Sequence, residues 1–467
     1  MDSLHPKLHV EPISRASSVF DFPRHDRVRP SATIKTDTAP GTLDSRNQIE
    51  HSFIVISGGS GGNAICNSFP RARTSYVLPV SDDGGSSSEI IRVIGGPSIG
   101  DIRSRLIRLI SASTPDVEAI RNLLAYRLPA DSDREAREIW REIIEGDSAL
   151  WTGIPADRKE LIRGFLVYFE NEILKRSHRR FAFANGSIGN FFLSACQLFF
   201  RSLPSAIFQF SALTGTTQDR ILPILVTNHT VTIAADLDNS KRIIGQCNIS
   251  HPVGGQEVVL EGLEDGEDGN GHNSPLNVAF VKSSEHTAEA LEGRIERVYY
   301  INAHGNEIYP HPNPEVLSSL GQQDYLVYSC GSLWTSIIPC LALRGVATSI
   351  ARSPSLRAKI LLLNIHNDRE TAGYTALDYV QAITSTLNRH DLTPRTAGGI
   401  IRPLYPASAF VTHLVYMSHT SIEIPTLALT AMGVHCVRIY GSNKSGFGAN
   451  DVRQALEQII ASTSTAD

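Results

Sequence analysis

The sequence predicts an α/β chain, a doubly wound and mostly parallel sheet with helical and β-rich insertions. Three observations lead there. Short β-branched runs ending in small residues, beginning with SFIVISGG at Ser52, have the composition of strands buried on both faces that then enter a tight turn. These runs alternate with segments of helical periodicity, the order that right-handed parallel crossovers require. No repeat of fixed period points to a solenoid or propeller.

Composition narrows the function classes. The 467 residues carry 43 Lys and Arg against 48 Asp and Glu, a net charge of −5. That balance leaves no basic excess to neutralise a phosphate backbone, so nucleic acid is not expected as a partner. With 41% hydrophobic and 19% charged residues, the chain has an ordinary globular composition. Its six cysteines (Cys66, Cys196, Cys247, Cys330, Cys340, Cys436) include no CxxC pair, which argues against structural zinc and for reduced, mostly buried thiols. The N-terminal segment lacks a basic cluster followed by an apolar run, and Asp2, Glu11, Asp21 and Asp26 argue against a transit peptide. The uncharged stretches 181–200 and 202–218 are interrupted by polar residues, so no membrane span is expected. A cytoplasmic protein is expected, and a homodimer is compatible with the sequence.

Residues 1–50 are rich in Ser, Pro, Thr, Asp and Arg without apolar periodicity and predict a disordered tail. The α/β domain is expected over 51–467. After the first strand, TSYVLPVSDDGG predicts a second, and Ile102, Leu106, Leu109 and Ile110 give one buried face to a helix from Asp101 to Ala112. Residues 115–180 predict a helical insertion with breaks near Pro129 and between Gly146 and Pro155. A helix that is apolar on all sides follows Asn185-Gly186-Ser187 through FFLSACQLFF. Over 221–295 the runs ILPILVT, TVTIAADL and RIIGQCNI predict a β-rich insertion, with an acidic loop from Glu261 to Asn273. Alternation then returns: strands RVYYIN and DYLVYSCGS, a helix through SIIPCLALRGVATSIA, strand KILLLNI, and a helix from Thr375 to Asn388. Strands AFVTHLVYM and HCVRIYG and a helix from Asp451 to Ala461 complete the series.

The chemistry is expected in loops at strand ends, where open α/β sheets bind ligands. Gly58-Gly59-Ser60-Gly61-Gly62 lets backbone amides approach an anion, or forms only a tight turn; it lacks a Walker lysine and a strict GxGxxG. In the loop Asp82-Asp83-Gly84-Gly85-Ser86, the paired carboxylates suit Mg2+ or a proton-accepting role, with an Asx-turn as the plain alternative. In Gly100-Asp101-Ile102-Arg103, Asp101 is a plausible N-cap, and Arg103 is placed to reach a phosphate or the acidic loop. Arg105 and Arg108 read as a solvated face. The loop Asn185, Gly186, Ser187, Gly189, Asn190 offers donors for phosphate or sugar, or a simple cap. Gly331, Ser332 and Thr335 follow another strand, where Cys330 reads as inert. Asn364 and Tyr374 are candidates for reading and stacking on a base or ribose. His366, His413 and His419 have no ligand-like spacing and read as structural or surface residues.

Taken in order, these loops resemble the superfamily that joins 2-phospho-L-lactate transferase (CofD) to the YvcK gluconeogenesis-factor branch. ISGGSGG is similar to its first glycine loop, and SDDGGSSSEIIRVIGGPSIGDIRSRL to the segment DDGGSSGRLR…GDIRNCL. NGSIGNFFLSA resembles GHNLGNLLLAA, SCGSLWTSIIPCL resembles GPGSLYTSIIPNL, and NIHNDRETAGYTALDYV resembles NLMTQPGETDGYTAADHV. The DDGGSS form is closer to the YvcK-like branch. This chain departs from the pattern at Ser329-Cys330, Ser104-Arg105 and Asn185. The resemblance implies a Rossmann-like core holding a nucleotide-linked ligand, either a GDP-linked donor whose phospholactyl group passes to an alcohol with Mg2+, or a UDP-sugar in a regulatory protein. In the transferase case Asp82, Asp83 and Arg103 would be catalytic, and Asp82 and Asp83 would hold the metal.

Overall fold

The computed structural model describes residues 51–467, except 60, 112, 177, 217–219, 252–289, 391–392, 395–399, 402–403, 442–445 and 465–467. The tail expected over 1–50, Ser60 and the acidic loop from Glu261 to Asn273 lie outside the described residues.

In chain order the strands are β1 (Phe53–Ile56), β2 (Thr74–Leu78), β3 (Arg220–Pro223), β4 (Thr232–Leu237), β5 (Arg242–Ile244), β6 (Ile295–Ile301) and β7 (Glu307–Ile308). They continue with β8 (Tyr325–Tyr328), β9 (Ala358–Leu362), β10 (Thr393–Pro394), β11 (Ile400–Ile401), β12 (His413–Met417) and β13 (His435–Ile439). Seven of them form one sheet in the order β13-β12-β9-β8-β1-β2-β3, every neighbouring pair parallel. The expected doubly wound sheet is therefore present. All residues of β1, β2 and β8 are buried, which explains why these runs are continuously apolar rather than alternating.

Between β2 and β3 lie α1 (Gly85–Val93), α2 (Gly100–Leu109), α3 (Pro115–Ala125), α4 (Asp133–Glu145), α5 (Ala156–Leu174), α6 (Ile188–Phe200) and α7 (Leu203–Thr214). Local chemistry sets their ends. Ser132 accepts the Glu135 amide at the start of α4, and Gly146 closes that helix at φ 92°. Trp140 of α4 ties the group together, stacked on Phe183 at 5.4 Å and edge-on to Phe169 and Phe191. From Ile188 to Gln197, α6 is buried on all sides, as its composition requires.

Two strands sit differently from the sequence expectation. ILPILVT does not belong to the β-rich excursion: its first residues form β3, the edge of the main sheet, beside β2. RVYYIN does not rejoin the parallel alternation. As β6 it pairs antiparallel with β4 and β7 in a second sheet of order β5-β4-β6-β7. Periodicity alone could not separate these cases, because a short apolar run suits either sheet. A short helix α8 (Gln246–Ser250) follows β5.

The remaining helices are α9 (Pro314–Leu320), α10 (Ile338–Leu341), α11 (Val346–Ala351), α12 (Ala376–His390), α13 (Thr426–Ala431) and α14 (Ala449–Ser464). The single helix expected through SIIPCLALRGVATSIA is broken. A π-helical turn at Leu333–Ile337 runs into α10, the chain leaves helical geometry at Ala342, and Gly345 at φ 84° starts α11. All six cysteines are free, with Cys66, Cys196 and Cys340 buried. Among the described residues, no helix is long and apolar enough to cross a membrane.

Candidate functional site

In the main sheet, successive strands step outward from β1 through β2 to β3 on one side and from β8 through β9, β12 and β13 on the other. The chain order reverses between β1 and β8. That is the place where an open α/β sheet leaves a crevice at the carboxyl ends of its strands. The loops following β1 and β8 meet there. A Cβ on Gly61 would lie 2.7 Å from the Cys330 carbonyl oxygen and 2.9 Å from the Gly331 Cα, so only glycine permits this approach. Gly331 itself has φ 144°, which again favours glycine.

The start of α2 packs onto the same glycine loop. Asp101 is not the N-cap of α2, which begins at Gly100 with no side-chain capping bond. Instead its carboxyl accepts the Gly59 amide, and a Cβ on Gly59 would lie 2.3 Å from Asp101 Oδ1. Arg105, one turn later, is fully buried rather than solvated. Its Nη2 donates to Ser57 Oγ at 2.9 Å and to the Gly58 carbonyl at 3.1 Å, and its guanidinium lies over Tyr76. A buried guanidinium thus sits beneath the glycine loop with no carboxylate bonded to it. Arg108 is exposed, as expected.

The acidic loop after β2 joins this floor. Asp82 Oδ1 accepts the Gly84 amide at 3.0 Å, so the Asx-turn geometry is present, and Asp82 Oδ2 faces Gly100 at the start of α2. Asp83 Oδ1 accepts the Cys247 amide at 2.7 Å from α8. Carboxyl oxygens of Asp82 and Asp83 and the Cys247 Sγ lie within 4.8 Å of one another. Burial, then Asp101, then Asp83 push the Asp82 carboxyl up to about 7, against the Gly84 amide. Burial pushes Asp101 up to about 6, against the Gly59 amide and Arg105. Burial also raises Asp83 and holds the Cys247 thiol protonated, well above its ordinary range. All three residues are partly exposed, while their carboxyl groups are hemmed in by protein.

Beside the acids runs a chain of polar contacts. Asn190 Nδ2 donates to Ser86 Oγ at 2.7 Å, and Arg103 Nε donates to Asn190 Oδ1 at 3.0 Å. This links the first turns of α1, α2 and α6. Gly85, at φ 55°, opens α1, and Asn185, at φ 57°, turns the chain into Gly186 and Ser187. Burial and the neighbouring Arg127 lower the Arg103 guanidinium to about 10. Among the described residues, Asp82, Asp83 and Asp101 make no ion pair, nor do Arg103, Arg105 and Arg127, although the arginines elsewhere on α4 and α5 pair freely. Asp101 and Arg103 stand two residues apart on one helix with their charges unspent on each other.

Three of the expected ligand residues are occupied by the protein itself. Asn364 clamps the loop after β8, accepting the Gly331 amide at 2.9 Å and donating to the Gly331 carbonyl at 2.7 Å. The Thr335 hydroxyl is buried and bonded to Glu370, whose other oxygen accepts the Trp334 and Thr335 amides. Burial and Asp368 push the Glu370 carboxyl up to about 8. Tyr374 is buried, its hydroxyl accepts the Trp334 indole N–H at 3.2 Å, and Arg294 covers its ring at 4.8 Å. In this geometry the three hold the loop after β8, while Gly331 and Ser332 remain partly exposed at its tip. Cys247, Arg105 and Glu370 are not among the site residues expected from the sequence. Their signals, a thiol in a β-rich excursion, an arginine on an amphipathic helix and a glutamate in a loop, become specific only once folded.

Comparison with known proteins identifies the family and the fold. The family model of 2-phospho-L-lactate transferase CofD matches residues 53–424. An uncharacterised protein of Saccharomyces cerevisiae is 33% identical over 447 residues, covering 87% of this chain and 98% of that protein. A gluconeogenesis factor of Bacillus subtilis is 26% identical over 180 residues, 38% of this chain and 49% of that protein. The match thus spans about half the length of that bacterial relative. A solved structure of a UPF0052 family member from Bacillus halodurans superposes with a TM-score of 0.56 at 17% identity, covering 87% of this chain and 99% of that one, a likeness of fold. On the strength of the family match across most of its length, the chain belongs to the 2-phospho-L-lactate transferase CofD family.

Proposed function

We propose that the crevice between the β1 and β8 loops binds a nucleotide-linked phosphate ligand and transfers a phosphoryl-type group from it to an alcohol, as in 2-phospho-L-lactate transfer. The observation that carries this reading is the set of charged groups left without an ion pair on the loops and first helical turns around the crevice, the carboxyls of Asp82, Asp83 and Asp101 and the guanidinium of Arg103. A folded protein ordinarily pairs or neutralises such groups. Their separation is what a cation together with a phosphate would complete.

The two adjacent carboxyls are hard oxygen donors and fit a divalent cation such as Mg2+. When bound, that ion would offset phosphate charge. The chain's own groups do the rest. Amides of Gly58, Gly61, Gly62, Gly85 and Ser332 cradle the diphosphate, those of Gly59, Gly84 and Gly331 being held by Asp101, Asp82 and Asn364, and Arg103 meets charge that grows during transfer. The alcohol oxygen attacks phosphorus, the bond to the nucleotide phosphate breaks, and a nucleoside monophosphate leaves. The alcohol's proton passes to Asp101, whose elevated pKa suits acid–base work near neutrality. Replacing Asp82 and Asp83 together by Asn is expected to abolish transfer from a GDP-linked donor while the protein stays folded. Undiminished transfer by that variant rules the reading out.

The gluconeogenesis-factor relatives and the DDGGSS form favour a second reading, a regulator that binds a UDP-sugar in the same crevice without converting it. Saturable binding of a UDP-sugar with no product separates it from the first.

A further inference from the structure

The start of α6 is gripped from two sides by arginines that no carboxylate neutralises. On one side, Arg127 forms an isolated antiparallel bridge with Ser187 and donates from Nη1 to the Asn185 carbonyl at 3.1 Å. On the other, Arg103 donates from Nε to Asn190 Oδ1, and its stem presses so closely on Gly189 that a Cβ there would lie 3.1 Å from Arg103 Cγ. Each guanidinium spends one nitrogen in this way. Among the described residues, Nη1 and Nη2 of Arg103 and Nε and Nη2 of Arg127 have no acceptor. A guanidinium stays charged in proteins; Arg127 is exposed, so water reaches its open donors, and an anion between the two groups would offset the repulsion that lowers Arg103.

Ser187 gives an independent sign. It stands at the N-cap position of a 13-residue helix, where a serine hydroxyl ordinarily accepts a first-turn amide. Here the hydroxyl makes no capping bond, is fully buried and has no hydrogen-bond partner. Residues opposed in an antiparallel bridge project to the same face, which places the Ser187 side chain on the side of Arg127. The uncapped first turn of α6 adds N–H groups and the positive end of the helix dipole.

We propose that Arg103, Arg127 and Ser187 form an oxyanion subsite, distinct from the glycine loops after β1 and β8, that takes a phosphate or carboxylate of the bound ligand. This deepens the reading of the crevice as a ligand site and rests on it. A ligand whose only charge sits on the glycine loops leaves the subsite empty, so the subsite selects ligands with a further acidic group. Arg127 belongs to the long stretch between β2 and β3, which gives that stretch a role in specificity.

Inorganic phosphate, titrated calorimetrically into the full chain in chelator, tests this while the acidic site is silent. The parent is expected to saturate. Arg127→Gln should weaken phosphate binding by roughly tenfold or more, Arg127→Lys by less because charge survives without the planar fork, and Ser187→Ala by a smaller factor. Arg134→Gln, at an exposed position of α4, should leave phosphate binding intact. If thermal melting shows Arg127→Gln to be unfolded, Arg127→Lys and Ser187→Ala carry the test. A parent that binds no phosphate, or variants that all bind like the parent, overturn the subsite. Nucleoside diphosphate binding, read in the same proteins, isolates the failure. Phosphate bound without nucleotide overturns the nucleotide reading alone, and nucleotide bound with arginine-independent phosphate overturns the subsite alone.

Discussion

Without divalent cation, Asp82→Asn is expected to stabilise the protein at neutral pH. Burial, Asp101 and Asp83 move the Asp82 carboxyl from 3.8 to about 7. At 1.36 kcal/mol per pKa unit, ionising it in the folded chain rather than the unfolded one costs about 4 kcal/mol, and water in the crevice reduces this to about 2–4 kcal/mol. Below 3.8 the group is protonated in both states and costs nothing. Between 3.8 and about 7 the unfolded chain gives up the proton while the folded chain keeps it, so stability falls as pH rises; above about 7 the full penalty applies. Asn retains the oxygen that accepts the Gly84 amide, so the turn survives the substitution. It also removes the repulsion between Asp82 and Asp101. Urea denaturation in chelator, compared for parent and variant from about pH 4 to 8, reads the difference directly. The advantage of the variant should be near zero at the acid end and reach about 2–4 kcal/mol at the alkaline end. A divalent cation should erase it by stabilising the parent alone. A variant less stable than the parent at pH 8, or an advantage independent of pH, would refute the reasoning.

Two further substitutions test how the loops are held. Gly61→Ala drives a Cβ into the Cys330 carbonyl and the Gly331 Cα, so it should cost about 1–3 kcal/mol in denaturation and weaken nucleotide binding by separating the β1 and β8 loops. Glu370, raised to about 8, is mostly neutral at pH 7; Glu370→Gln should therefore stay within about 1 kcal/mol of the parent. Glu370→Ala leaves the Thr335 hydroxyl and two amides without their acceptor and should lose about 3 kcal/mol. Equal losses from both Glu370 variants would contradict the assignment of a neutral carboxyl.

The parts of the fold that could be read in advance were those with strong local signals. Glycines directly after an apolar β-branched run marked the end of β1, and the DDGG loop marked the chain beyond β2. The loops that carry opposed charges were also visible, because Asp82, Asp83, Asp101 and Arg103 fall within one short stretch, 82–103, between the second strand and the helix that follows. What sequence could not show was where each polar group would spend its hydrogen bonds. Thr335, Asn364 and Tyr374 stand beside a strand-end loop as ligand residues would, yet Glu370, Gly331 and Trp334 already engage them. Arg105 and Arg108 look alike on a helix wheel, and only the tertiary packing of α2 against the glycine loop buries the first and exposes the second. Cys247 and Arg127 reach the site from segments distant in sequence, contacts that no spacing rule encodes.

The central claim is that a nucleotide-linked phosphate occupies the crevice with a cation on Asp82 and Asp83. Calorimetric titration of GDP- and UDP-linked ligands, with and without Mg2+, into the parent and the Asp82→Asn, Asp83→Asn double variant tests it most directly. The account predicts saturable, cation-dependent binding to the parent that the double variant loses by roughly tenfold or more. Binding that ignores both the cation and the two acids, or no binding of either class of ligand, would contradict it.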